Sequence, residues 1–147
     1  MNHQRTLYTW NDKLPMRRTL PYDVVFVFGS NQRGRHGAGA ALYAVSYFGA
    51  QEGFGEGFMG QSYGIPTKDH QIKTRPLEDI VPAIERFVDF ARLHRRLKFF
   101  LTPVGCGRAG YTDAQVAPLF HRLSSNCAIP LSWSEYFSGF QFLESGV

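Results

Sequence analysis

The chain has 147 residues, of which 44% are hydrophobic and 19% are charged. That length suits one domain spanning residues 1–147 with a substantial buried core, and that composition excludes a disordered chain. A formal charge of +4 favours a negatively charged partner. No stretch approaches the roughly 18 apolar residues of a membrane span, so no membrane partner is expected.

Met1 to Thr6 carry no apolar segment like that of a secretory signal. The two cysteines, Cys106 and Cys127, provide no disulfide framework, and a cytoplasmic protein with reduced thiols is expected. Residues 6–10 form a candidate first strand. Residues 22–28, an apolar run opened by polar Asp23, predict a strand buried on both faces. A glycine-rich turn follows through Gly29, Ser30, Asn31, Gly34, His36, Gly37, Ala38 and Gly39. It opens a helix over residues 39–49, with Ala41, Leu42, Val45 and Phe48 on one side. Residues 51–60 read as irregular, and residues 62–67 as another strand.

The strongest helical period lies in Leu77, Ile80, Val81, Ile84, Phe87, Val88 and Ala91. Thr74 and Pro76 mark its start, Glu78 and Asp79 suit its first turn, and Pro82 is expected to kink it or delay its regular part. The basic group at residues 92–98 falls where this helix ends, which suits the dipole. Residues 97–104 predict a central strand running into a second glycine turn, Gly105-Cys106-Gly107-Arg108-Ala109-Gly110-Tyr111. Thr112 and Gln115 then make a capping-box pattern, with Val116, Leu119, Phe120 and Leu123 on one apolar face and Pro118 arguing for irregularity. Residues 127–133 predict a strand, and residues 136–143 an edge strand.

Strands alternating with helices imply an α/β fold, a three-layer α/β/α sandwich with a mostly parallel or mixed central sheet. Ligands in such sheets bind at the carboxyl ends of strands, where both glycine turns begin, so one crevice is expected between them. Glycine lets backbone N–H groups converge on an anion at a helix N-terminus, and two such turns suit a ligand with more than one phosphate or ribose. Gly55-Glu56-Gly57-Phe58-Met59-Gly60 also spells G-x-G-x-x-G, but it leads into a strand rather than out of one. The span from Gly105 to Gly110 has the right context, yet too little chain follows it for a dinucleotide-binding Rossmann half. No Walker loop is present.

The segment Asp23-Val24-Val25-Phe26-Val27-Phe28-Gly29-Ser30-Asn31, with the glycine run after it, resembles the first ligand loop of macrodomains, which bind ADP-ribose. Thr102-Pro103-Val104-Gly105-Cys106-Gly107-Arg108-Ala109-Gly110-Tyr111 resembles their second, diphosphate-cradling loop. Tyr63-Gly64-Ile65-Pro66-Thr67-Lys68-Asp69 and the helix after it resemble the branch that cleaves ADP-ribose from carboxylate side chains. The resemblance implies that Asn31 touches the distal ribose and that Gly37 and Gly39 let backbone pass close to it. It implies further that Gly105, Cys106, Gly107, Arg108 and Ala109 offer N–H groups to the diphosphate, with Tyr111 beside it. Lys68 stands where that branch places its nucleophilic lysine, while Ala109 occupies the place of the assisting aspartate and Asp113 lies four residues later. The Gly-Asp-Ile or Gly-Asp-Leu segment that holds adenine in the family is missing, with Asp12 as a substitute or merely a turn residue.

Cys106 sits in a turn ahead of a helix, which suits either an activated thiol or a small residue packed beneath a phosphate loop. The five histidines show no metal-ligand spacing, so neither metal nor cofactor is expected, and His36 is the histidine placed to meet ligand. Phe54, Phe58 and Tyr63 are candidates for stacking on a base or for core packing. The leading reading is a binder of ADP-ribose or a related NAD-derived nucleotide, free or attached to a macromolecule. The alternatives are a hydrolase using Lys68 with Asp113 or Asp69 as acid, and a basic nucleic-acid-binding protein. No recognition motif or groove-sized basic face supports the last.

Overall fold

A computed structural model describes residues 7–10 and 24–145. Asp12 lies outside the described residues, as does the start of the strand expected at 22–28. The fold is a three-layer α/β/α sandwich around a seven-stranded mixed sheet in the order β1-β7-β6-β5-β2-β4-β3. Its strands are β1 (Leu7–Trp10), β2 (Val24–Asn31), β3 (Gly57–Met59), β4 (Ser62–Lys68), β5 (Lys98–Leu101), β6 (Cys127–Pro130) and β7 (Gln141–Ser145). All neighbours run parallel except β3 and β4, which are antiparallel.

The period of two along the strands distributes the core to two faces. In β2, Val25 and Val27 join one buried cluster, while Val24, Phe26 and Phe28 join the other. In β5 the same alternation sends Phe99 and Leu101 one way and Phe100 the other. One face is covered by α2 (Leu77–Leu93), by α3 (Asp113–Val116) and by two short 3-10 turns at Ala117–Phe120 and Leu131–Tyr136. The other is covered, among the described residues, by α1 (Gly39–Phe48). No helix among them is long and apolar enough to cross a membrane.

Several boundaries depart from the sequence expectation for identifiable reasons. Gly29, Ser30 and Asn31 belong to β2, because they keep pairing with β4 after the apolar run ends. In α1 the buried residues are Ala41, Tyr43, Ala44 and Phe48, whereas Leu42 is 47% exposed. The Tyr43 and Phe48 rings stack on Phe26 at 5.3 and 5.0 Å, which rotates the helix away from the side read from the sequence. Residues 51–60 contain β3 instead of being wholly irregular. Helix α2 continues through Pro82, whose ring lies on the exposed side.

Strand β5 stops at Leu101, where the chain leaves the ladder while Thr102 still donates its N–H and hydroxyl to the Val27 carbonyl. The capping box at Thr112 and Gln115 is formed, but the helix it opens tightens into a 3-10 turn at Ala117, with Pro118 in its first positions. Strand β6 ends at Pro130, and the following 3-10 turn buries Trp133 completely in the α2 face. Strand β7 begins later than residue 136 and is not an edge, because β1 pairs along its outer side.

Candidate functional site

The carboxyl ends of β2, β4 and β5 meet beside the N-terminus of α1, and a cleft of about 590 Å³ opens there. Both glycine turns line it: Gly29, Ser30, Asn31, Gly37, Ala38 and Gly39 from the first, and residues 105–109 from the second. Lys68 lines it too, because the last register step of β4 sets it opposite Asn31. A bulge at Ser30 and Asn31 produces that step and skips Thr67.

The first loop is braced by its own side chains. Asn31 Nδ2 donates to the Arg35 carbonyl at 2.8 Å, and Arg35 N–H returns to Asn31 Oδ1 at 2.9 Å. Asn31 therefore shapes the loop as well as facing the cleft. The loop is also fastened to residues 51–55: Gly53 N–H donates to the Gly34 carbonyl, and the Ser30 hydroxyl donates to the Gly55 carbonyl. Gly55 is required here, since a Cβ on it would lie 2.2 Å from the Asn31 carbonyl oxygen.

His36 is the clearest departure from expectation. It is 1% exposed, its Nε2 lies 3.0 Å from both the Gln51 and Phe54 carbonyls, and it does not line the cleft. Its backbone N–H donates to Glu52 Oε1 at 2.9 Å. The imidazole ties the two segments together instead of meeting a ligand. Of the aromatics considered for base stacking, Tyr63 is buried, Phe58 stacks on Phe90, and none of Phe54, Phe58 or Tyr63 lines the cleft.

The second loop is shaped by short backbone bonds. Cys106 N–H donates to Pro103, Gly110 N–H to Gly107, and Tyr111 N–H to Gly105. Gly105 adopts φ +79, a conformation that favours glycine. The N–H groups of Gly105, Gly107, Arg108 and Ala109 have no protein partner among the described residues. Across the cleft, α1 has Ala38 as its N-cap without a side-chain cap bond, leaving its first N–H groups without a partner among the described residues as well. Arg35, Lys68 and Arg108 add positive charge, and among the described residues no carboxylate side chain lines the cleft. Two groups of unpaired amides with three cations are the chemistry that an extended anion would require.

Gly110, Tyr111 and Asp113 lie outside the cleft wall. The Tyr111 hydroxyl donates to the Arg75 carbonyl, and the Thr74 hydroxyl donates to the Ala109 carbonyl at 2.9 Å. These contacts anchor the second loop to the segment that leads into α2. Asp113 Oδ1 accepts a 2.8 Å hydrogen bond from Trp133 Nε1, so its carboxylate satisfies a buried indole instead of facing a substrate.

Cys106 lines the cleft, but burial pushes its thiol up to about 12, reinforced by a hydrogen bond to Asp113 and that residue's negative charge. It is a protonated packing residue near neutral pH, not an activated nucleophile. Asp69 also fails the role of acid. Its carboxylate accepts N–H bonds from Lys73 and Gln71, which hold its pKa below the ordinary aspartate value.

Arg35, Thr67, Ile72 and Thr102 also line the cleft, although no individual ligand role falls to them from the sequence. Arg35 was signalled by its place inside the first glycine run, and Thr102 by its place before the second. Ile72 carried no local signal; it reaches the cleft at φ +61 in the turn that the Asp69 carboxylate organises. Comparisons of the chain with family models, with curated proteins and with solved structures found no match.

Proposed function

We propose that this protein binds ADP-ribose or a related NAD-derived nucleotide in the cleft between its two glycine loops. The observation that carries this reading is the convergence, on a cleft of about 590 Å³, of unpaired backbone amides from both loops, with no carboxylate among the described residues of its wall. The amides of the second loop would hold the diphosphate, and those at the start of α1 would approach the distal ribose. Arg35, Lys68 and Arg108 would supply the long-range attraction. The ligand is taken either as a free nucleotide or as a group on a macromolecule, and a cytoplasmic setting suits the free thiols of Cys106 and Cys127.

Binding is favoured over hydrolysis because Lys68 lines the cleft without either acid considered for it, Asp113 or Asp69. Calorimetric titration with ADP-ribose should give one-site binding at micromolar affinity or tighter. Absence of heat from ADP-ribose and from other NAD-derived nucleotides would overturn the reading. Release of ADP-ribose from a carboxylate ester, lost in Lys68→Ala, would instead establish the hydrolase.

A further inference from the structure

A second hollow of about 450 Å³ opens beside the cleft, where the first glycine loop meets residues 52–53. Arg35 and Gly37 belong to both walls, so the two spaces adjoin across that loop. Arg33 lines only the second. Both arginines are exposed, and neither guanidinium forms an ion pair or hydrogen bond among the described residues. Glu52, the one acid in the wall among the described residues, accepts the His36 N–H and pairs with neither arginine.

Charge leads to the same place. Arg35, Lys68 and Arg108 face the cleft, and Arg33 adds a further cation next door, offset in part by Glu52. A bound diphosphate brings about two negative charges, which leaves positive charge unmatched on the side of the hollow. A guanidinium presents parallel N–H donors that fit phosphate oxygens in pairs, and two of them flanking one hollow suit a phosphomonoester.

We propose that this hollow is a second anion subsite, which takes a phosphate ester carried by the cleft's own ligand in addition to its diphosphate. The inference rests on the nucleotide reading of the cleft. The phosphate can belong to the adenosine ribose or to the terminal ribose, and the two sources are separable by titration. Calorimetry on the full chain would compare ADP-ribose with its derivatives phosphorylated on either ribose. One derivative should bind roughly tenfold tighter than ADP-ribose, as charge-assisted hydrogen bonds permit.

Arg33→Glu should remove that gain while leaving the ADP-ribose affinity within about twofold, because Arg33 is absent from the cleft wall. Arg33→Gln should remove part of it, and an unchanged melting temperature would show that both variants fold. The subsite is overturned if ADP-ribose binds but neither phosphorylated derivative binds more tightly, or if Arg33→Glu retains the full gain. If ADP-ribose and both derivatives give no heat, the nucleotide reading of the cleft fails and the subsite fails with it.

Discussion

The two glycine loops face each other across one cleft but hold their shapes by different means. The first depends on a partner segment distant in sequence: Ser30 and His36 bond to carbonyls of residues 51–55, and Gly55 fits against the Asn31 carbonyl. The second depends on turns within itself and on supports outside the cleft, from Thr74, Tyr111 and the Asp113–Trp133 pair. In the second loop this leaves most backbone donors without an acceptor among the described residues. The first loop is thus a packed wall, and the second is a cradle held open from behind. Substitutions at the first should therefore act mainly on stability, and those at the second on affinity.

The sharpest way to break the first wall is Gly55→Ala. The new Cβ would meet the Asn31 carbonyl, and backbone can yield little there. A loss of roughly 3 kcal/mol is expected from such overpacking, read as a lowered denaturant midpoint with an unchanged m-value. Retention of wild-type stability would mean that residues 51–55 do not brace the loop.

Next in size is Asp113→Ala, which leaves the buried Trp133 Nε1–H without its acceptor. About 2 kcal/mol should be lost, while Asp113→Asn, which keeps an acceptor oxygen, should lose much less. If Asp113→Asn abolished turnover of an ADP-ribosyl ester while preserving stability, the scaffold role assigned to Asp113 would be wrong.

A smaller effect is expected from Thr74→Val, which removes the hydroxyl holding the Ala109 carbonyl. Stability should fall by about 0.5–1 kcal/mol, since Thr74 is exposed and water can replace the donor. Affinity for ADP-ribose should fall by a few-fold through the loosened cradle. Equal affinities in the two proteins would separate the second loop from this support.

The gentlest probe is chemical. With its folded-state thiol pushed up to about 12 against an ordinary value of 9.0, Cys106 should react slowly with iodoacetamide at pH 8 and faster once the chain is unfolded. The sign follows from linkage: a raised pKa contributes stability below the unfolded value, and that contribution is lost as pH climbs from about 9 toward 12. Rapid labelling of the native protein at pH 8 would restore the activated-thiol reading.

Much of this architecture was legible along the chain because it depends on local periodicity. The alternation in β2, the heptad-like spacing of α2 and the capping box at Thr112 each specify their element through neighbours a few residues away. The glycine turns were equally legible as tight turns, since a missing Cβ is a property of the residue itself. Their placement at strand carboxyl ends follows from topology, and the parallel order of β2, β4 and β5 brings them together.

What the tertiary structure alone decided is which side chains face the cleft. His36 and Asp113 looked like chemistry in sequence, yet each has a buried obligation elsewhere: His36 to the 51–55 carbonyls, and Asp113 to the Trp133 indole. Lys68, Ile72 and Arg35 reach the cleft through a bulge, a turn at positive φ and a loop pinned by Asn31. The physical reasons differ. His36 and Asp113 go to the partners that satisfy them, contributed by segments far away in the chain, whereas Lys68, Ile72 and Arg35 are carried to the cleft by local backbone geometry that no periodicity encodes.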